Sequence, residues 1–179
     1  MKFFLAVSRL IDSLNERVGQ AVGWLVLAVV LVSAGNAAVR YSLNLSSNAW
    51  LEIQWYLFSA VFLLGAGYTL KRNEHVRIDV VAGKLSKRAQ AWADIFGALL
   101  FLLPMAVIIM VLSWPMFMQA YTGHEISSDA GGLIRWPVKL LIPAGFALLV
   151  LQGVSEIINR IAFLRGINAE PAGGKRVNG

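Results

Sequence analysis

Four stretches free of Asp, Glu, Lys and Arg punctuate the chain: Val18 to Val39, Ile53 to Leu70, Ile95 to Gly123 and Leu140 to Ser155. About 20 apolar residues suffice to cross a hydrocarbon core as a helix, and a helix satisfies its own backbone groups where no water can. The stretches therefore predict four membrane-spanning helices, at about 18–40, 51–70, 91–114 and 138–160. With 15% charged residues among 179, the chain is poorer in charge than ordinary soluble domains. The expected fold class is an all-α integral membrane protein.

Charge outside the stretches orients the chain. If the N-terminus is cytoplasmic, the N-terminal segment, the loop from Lys71 to Arg88 and the C-terminal tail hold 13 of the 16 Lys and Arg residues. Only Arg40, Arg135 and Lys139 then lie outside. Basic residues concentrate in cytoplasmic loops, so the pattern predicts both termini inside. The same distribution turns the net charge of +6 into a topology signal and gives no water-exposed basic face for nucleic acid.

Residues 1–17 carry Phe3, Val7, Leu10 and Leu14 at helical spacing, with Arg9, Asp12, Ser13, Glu16 and Arg17 elsewhere. Two readings stand side by side: an amphipathic helix on the inner surface, and a plain entry segment that orients the first span. The apolar patch Phe3 to Val7 is shorter than a signal-peptide core. A second interfacial helix is expected in the cytoplasmic loop, capped by Asp79, with Lys84, Lys87 and Arg88 towards phosphates and Trp92 at the next entry. Residues 165–179 are expected to form a cytoplasmic tail without regular structure.

Candidate functional residues gather at the rims. Arg40 and Glu52 flank the first outer loop, where they form a salt bridge or reach a neighbouring protein or lipid head group. Trp50 and Trp55 lie beside them, and Arg135, Trp136 and Lys139 form a basic and aromatic collar after the third span. On the inner side stand His75, Arg77 and Asp79. All ten are candidates for a partner or lipid interface.

No ionisable residue occupies the middle of a span, where secondary transporters place substrate. Pro104 in the third stretch opens or kinks its helix, yet its neighbours Leu102, Leu103, Met105 and Ala106 offer no ligands. The two histidines, His75 and His124, fall on opposite sides of the membrane and cannot share a haem. With no Cys, thiolate metal sites are excluded, and no cofactor, metal or catalytic residue is expected in this chain. A stand-alone four-helix protein, whether a cytochrome subunit or a small transporter, is the alternative to a part of a larger assembly.

The ordered set Arg40-Tyr41, Trp50-Leu51-Glu52, Leu63 to Leu70 (LLGAGYTL) and Glu74 to Asp79 (EHVRID) resembles the small permease subunit of the TRAP transporters, the tripartite ATP-independent periplasmic family. The later run Gly131-Gly132-Leu133, Trp136 to Lys139, Pro143 to Phe146 and Leu151-Gln152-Gly153 is similar to the branch associated with mannitol, chloroaromatic and related organic-acid systems. The resemblance implies a large permease subunit that carries substrate and Na+ by an elevator motion, and a periplasmic binding protein that delivers the substrate. This chain would then be a scaffold in the bacterial inner membrane.

Overall fold

The computed structural model describes residues 1–43, 47–72 and 86–167. The described residues form five α-helices: α1 (Lys2–Leu43), α2 (Asn48–Lys71), α3 (Lys87–Gly97), α4 (Leu103–Thr122) and α5 (Trp136–Leu164). A π-helical turn, Ala98–Leu102, joins α3 to α4 into one long rod. Among the described residues four helical rods are long and apolar enough to cross a membrane: α1, α2, the rod from Lys87 to Thr122, and α5. Among the described residues there is no strand, only an isolated bridge between Ile126 and Ile134.

The π turn has a local cause. Pro104 has no N–H, so the carbonyl one turn before it loses its usual partner, and the ladder widens: the Leu103 N–H reaches back five residues to Ala98. The third rod continues beyond Pro115 to Thr122. At its start, the Ser86 hydroxyl accepts the Ala89 N–H and caps α3.

The hub of the fold is α5, which packs against α1, α2, α3 and α4. Close approach is set by glycines: a Cβ on Gly145 would fall 2.6 Å from the Leu63 carbonyl oxygen, and one on Gly153 would meet Leu102 at 2.8 Å. Between α1 and α2 the contacts run antiparallel and in register, from Glu16 with Lys71, through Gly19 with Tyr68 and Gly65 with Val22, to Ser33 with Gln54. Gly19 of the Gly-xxx-Gly pair is covered by Tyr68, whereas Gly23 faces open space. No break separates residues 1–17 from the first crossing, since α1 is one helix of 42 residues, about 63 Å long at 1.5 Å per residue.

The loop helix expected after Asp79 falls outside the described residues, apart from its basic end at Lys87 and Arg88, which belongs to α3. The tail expected from residue 165 lies outside them beyond Ile167.

Candidate functional site

The polar chemistry collects at the two ends of the bundle. At one end, the loop between α4 and α5 folds back over the start of α2. Glu52 of α2 is 3% exposed, and its carboxylate accepts the Ser127 hydroxyl and, at 2.5 Å, the Leu133 N–H. Arg135 donates to the same Ser127 oxygen at 3.2 Å, so its guanidinium stands one hydrogen bond from Glu52. The loop also closes on itself, with Ser127 N–H to Leu133 O and Arg135 N–H to Glu125 O, both at 2.9 Å. Gly131 takes a φ of +73°, and a Cβ on Gly132 would collide with Ser127 at 2.4 Å. Three further bonds tie the loop down: Asn48 to Ala130 O, Tyr56 OH to Ile134 O, and a Lys139–Glu125 ion pair at 2.5 Å.

Of the alternatives open for Arg40 and Glu52, the salt bridge between them is not formed. A backbone N–H and a hydroxyl already occupy the Glu52 oxygens, while Arg40 is exposed in the last turn of α1. Trp55, Arg135 and Lys139 do come together, with Ser59, Leu63, Val138 and Ile142, around a cavity of about 290 Å³. Trp136 stacks edge-on against Tyr121, ring centres 5.6 Å apart. Trp50 lines a separate groove of about 760 Å³ between α1 and α2, with Val32, Asn36 and Val39. His75, Arg77 and Asp79 lie outside the described residues. His124 is exposed at the end of α4, with a φ of 47°.

The opposite end holds residues that spacing had not singled out. Ser8, Asp12 and Asn15 of α1 face Gln152, Ser155 and Asn159 of α5 in an antiparallel ladder. Asn15 donates to Gln152 at 2.9 Å, Gln152 and Ser155 donate to Asp12 at 3.0 and 2.7 Å, and Ser8 donates to Asn159 at 3.0 Å. The side-chain oxygen of Asn15 has no partner and abuts Gly67, where any Cβ would come within 2.3 Å of it. Nearby, Glu16 accepts from Lys71 at 2.6 Å and Arg72 at 2.7 Å. Arg160, 5% exposed, sits between Glu156 at 2.7 Å and Asp94 at 3.2 Å. The signal was present in the spacing, since positions 8, 12 and 15 and positions 152, 155 and 159 each share one helix face.

Glu16 precedes the apolar stretch that crosses the membrane. The hydrogen bond from Lys71, opposed by partial burial and aided by Arg72, holds its carboxyl below the ordinary value of 4.5. Among the described residues no three His, Asp or Glu side chains come together as a metal would require.

Comparison with known proteins gives one match. Residues 29–163 match the family model described as Tripartite ATP-independent periplasmic transporters, DctQ component. Neither the curated proteins nor the solved structures gave a match. With most of its length matched and four rods able to span a membrane, the chain belongs to the DctQ family, the small membrane subunits of the tripartite ATP-independent periplasmic transporters, and is a multi-pass transporter component rather than an enzyme.

Proposed function

We propose that the chain is the fixed scaffold of a sodium-coupled transporter for organic acids or related small solutes, holding a large mobile permease subunit and helping to dock the periplasmic binding protein. The observation that carries this reading is where the charges go. Glu16 pairs with Lys71 and Arg72, Arg160 with Asp94 and Glu156, Lys139 with Glu125, and Glu52 with the loop. These groups brace helix against helix or helix against loop at the two ends. A carrier needs polar groups that can exchange partners with a solute near the midplane; a scaffold needs rigid ends and an apolar flank.

In this reading both termini are cytoplasmic, as the Lys and Arg distribution favours, and the Glu52 end is periplasmic. The loop held by Glu52 then presents Ile126 and Ile134, 64% and 52% exposed, and with the exposed Arg40 and Trp50 at the adjoining ends of α1 and α2 it offers a surface for the binding protein. The inner candidates His75, Arg77 and Asp79 join the lipid and large-subunit interface. The Na+ and substrate sites belong to the large subunit.

Co-expression with the large subunit and reconstitution with the binding protein tests the assignment. Uptake should require all three components and a sodium gradient, and Arg40→Ala with Trp50→Ala should weaken it while leaving the membrane complex intact. Solute uptake by the purified chain alone would overturn the scaffold reading.

A further inference from the structure

At the loop end, one half-buried cation lacks a carboxylate of its own. Glu52 has its oxygens on the Ser127 hydroxyl and the Leu133 N–H, and Glu125 pairs with Lys139. Among the described residues Arg135 therefore makes no direct ion pair, and of its five side-chain N–H donors one is used, on the Ser127 oxygen. Together with Lys139 it lines the cavity of about 290 Å³ between α2 and the start of α5, whose wall holds no acid. Lower down, the hydroxyl of Ser59 is turned onto its own helix, at 2.7 Å from the Trp55 carbonyl oxygen, so that wall is effectively apolar.

The cavity is graded along the bundle axis. Arg135 and Lys139 stand at the start of α5, whereas Ile142 and Leu63 close the far end, with Leu63 opposite Gly145. From Arg135 to Gly145 the helix rises about 15 Å at 1.5 Å per residue. Trp55 and Trp136 flank the cationic end, as aromatic residues do at a membrane surface. Next to Ser59 and Leu63, Phe58 and Phe62 are 64% and 71% exposed, so the apolar end opens beside a face made for hydrocarbon. Cations at the water level and apolar walls towards the midplane repeat the layering of a phospholipid.

We propose that this cavity holds one phospholipid with a net anionic head group, drawn from the leaflet on the loop side. The unused donors of Arg135 meet the head-group phosphate, Lys139 adds a second positive charge, and the start of an acyl chain lies along Trp55, Leu63 and Ile142. Charge complementarity selects this occupant. A free anion would leave the apolar end unfilled, and an uncharged amphiphile would leave the guanidinium donors unmet. Each basic residue beside an anionic lipid favours retention roughly five-fold. The inference does not depend on the scaffold reading, since it concerns this chain by itself.

Native mass spectrometry tests this on the full-length chain, released from micelles doped with equal amounts of phosphatidylglycerol and phosphatidylcholine that share the same acyl chains. One phosphatidylglycerol should be retained, and preferred over phosphatidylcholine by at least roughly five-fold. Arg135→Gln should cut that preference roughly five-fold, whereas Arg165→Gln, exposed at the opposite end, should keep it. Because Arg135 also bonds the loop, Ser59→Phe gives a second probe: it fills the cavity from α2 and should expel the lipid although every charge remains. Equal retention of the two lipids, a preference unaltered by Arg135→Gln, retention that survives Ser59→Phe, or displacement of the lipid by excess inorganic phosphate overturns the inference.

Discussion

At the Glu52 end one carboxylate organises a loop, mainly through the Leu133 N–H and the Ser127 hydroxyl. At the Arg160 end the bracing is between side chains of whole helices, with Ser8 and Asn159 separated by 151 residues of chain. The first arrangement can loosen without moving a helix. The second cannot, because its bonds run directly between two helices, so each group lost weakens a helix interface. The contrast is between an end braced helix to helix and an end closed by a loop.

The sharpest way to break the comparison is at Arg160. Replacing it with Leu strips Glu156 and Asp94 of a buried cation and should cost roughly 3–5 kcal/mol, read from thermal unfolding of the detergent-solubilised chain. A loss no larger than that of an exposed control such as Arg165→Leu would refute the helix-to-helix bracing of this end.

Next comes the ladder. Gln152→Leu removes the Asn15 amide's shorter bond and one of the two donors to an Asp12 oxygen, leaving Asn15 with Ile11 O at 3.4 Å and Asp12 with Ser155, at about 1–3 kcal/mol. Adding Asn15→Leu should recover part of that loss, since removing both members of a buried pair is milder than removing one. Additive losses would mean that the two side chains are not coupled.

Glu52→Gln should act locally. It removes the charge that the Leu133 N–H and Ser127 hydroxyl address, so proteolysis or hydrogen exchange between residues 123 and 135 should rise while the global melt moves little. Gly132→Ala should loosen the same segment, as its Cβ meets Ser127. A cooperative global loss from either change would erase the distinction between the ends.

The smallest effect is that of pH on Glu16. Its carboxyl titrates below 4.5 when folded, so its contribution is complete above pH 4.5 and is lost as pH falls through the lowered value. Melting curves between pH 6 and 3 should show that loss, and Glu16→Gln should remove it.

The comparison also separates what was readable from what was not. The four crossings followed from the spacing of charges, because lipid admits few polar side chains and helices alone satisfy their backbone there. Arg135, Lys139 and Trp55 were legible as rim residues, and the structure draws them around one cavity. Glu52 was legible as unusual, but none of the alternatives open for it, a salt bridge with Arg40 among them, included the Leu133 N–H, which lies 81 residues away. Sequence proximity is a poor guide to the hydrogen-bond partner of a buried carboxylate, since the loop that can offer a free N–H is chosen by how the helices pack.

By itself, then, the sequence determined the number of crossings, the family, and which residues could not lie in lipid. Only the tertiary structure decided that α5 is the hub, that Asp12 and Glu16 turn inward, and that Glu52 serves a loop. Those outcomes depend on which helix faces meet, and close contacts at Gly67, Gly145 and Gly153 set that choice between elements far apart in the chain.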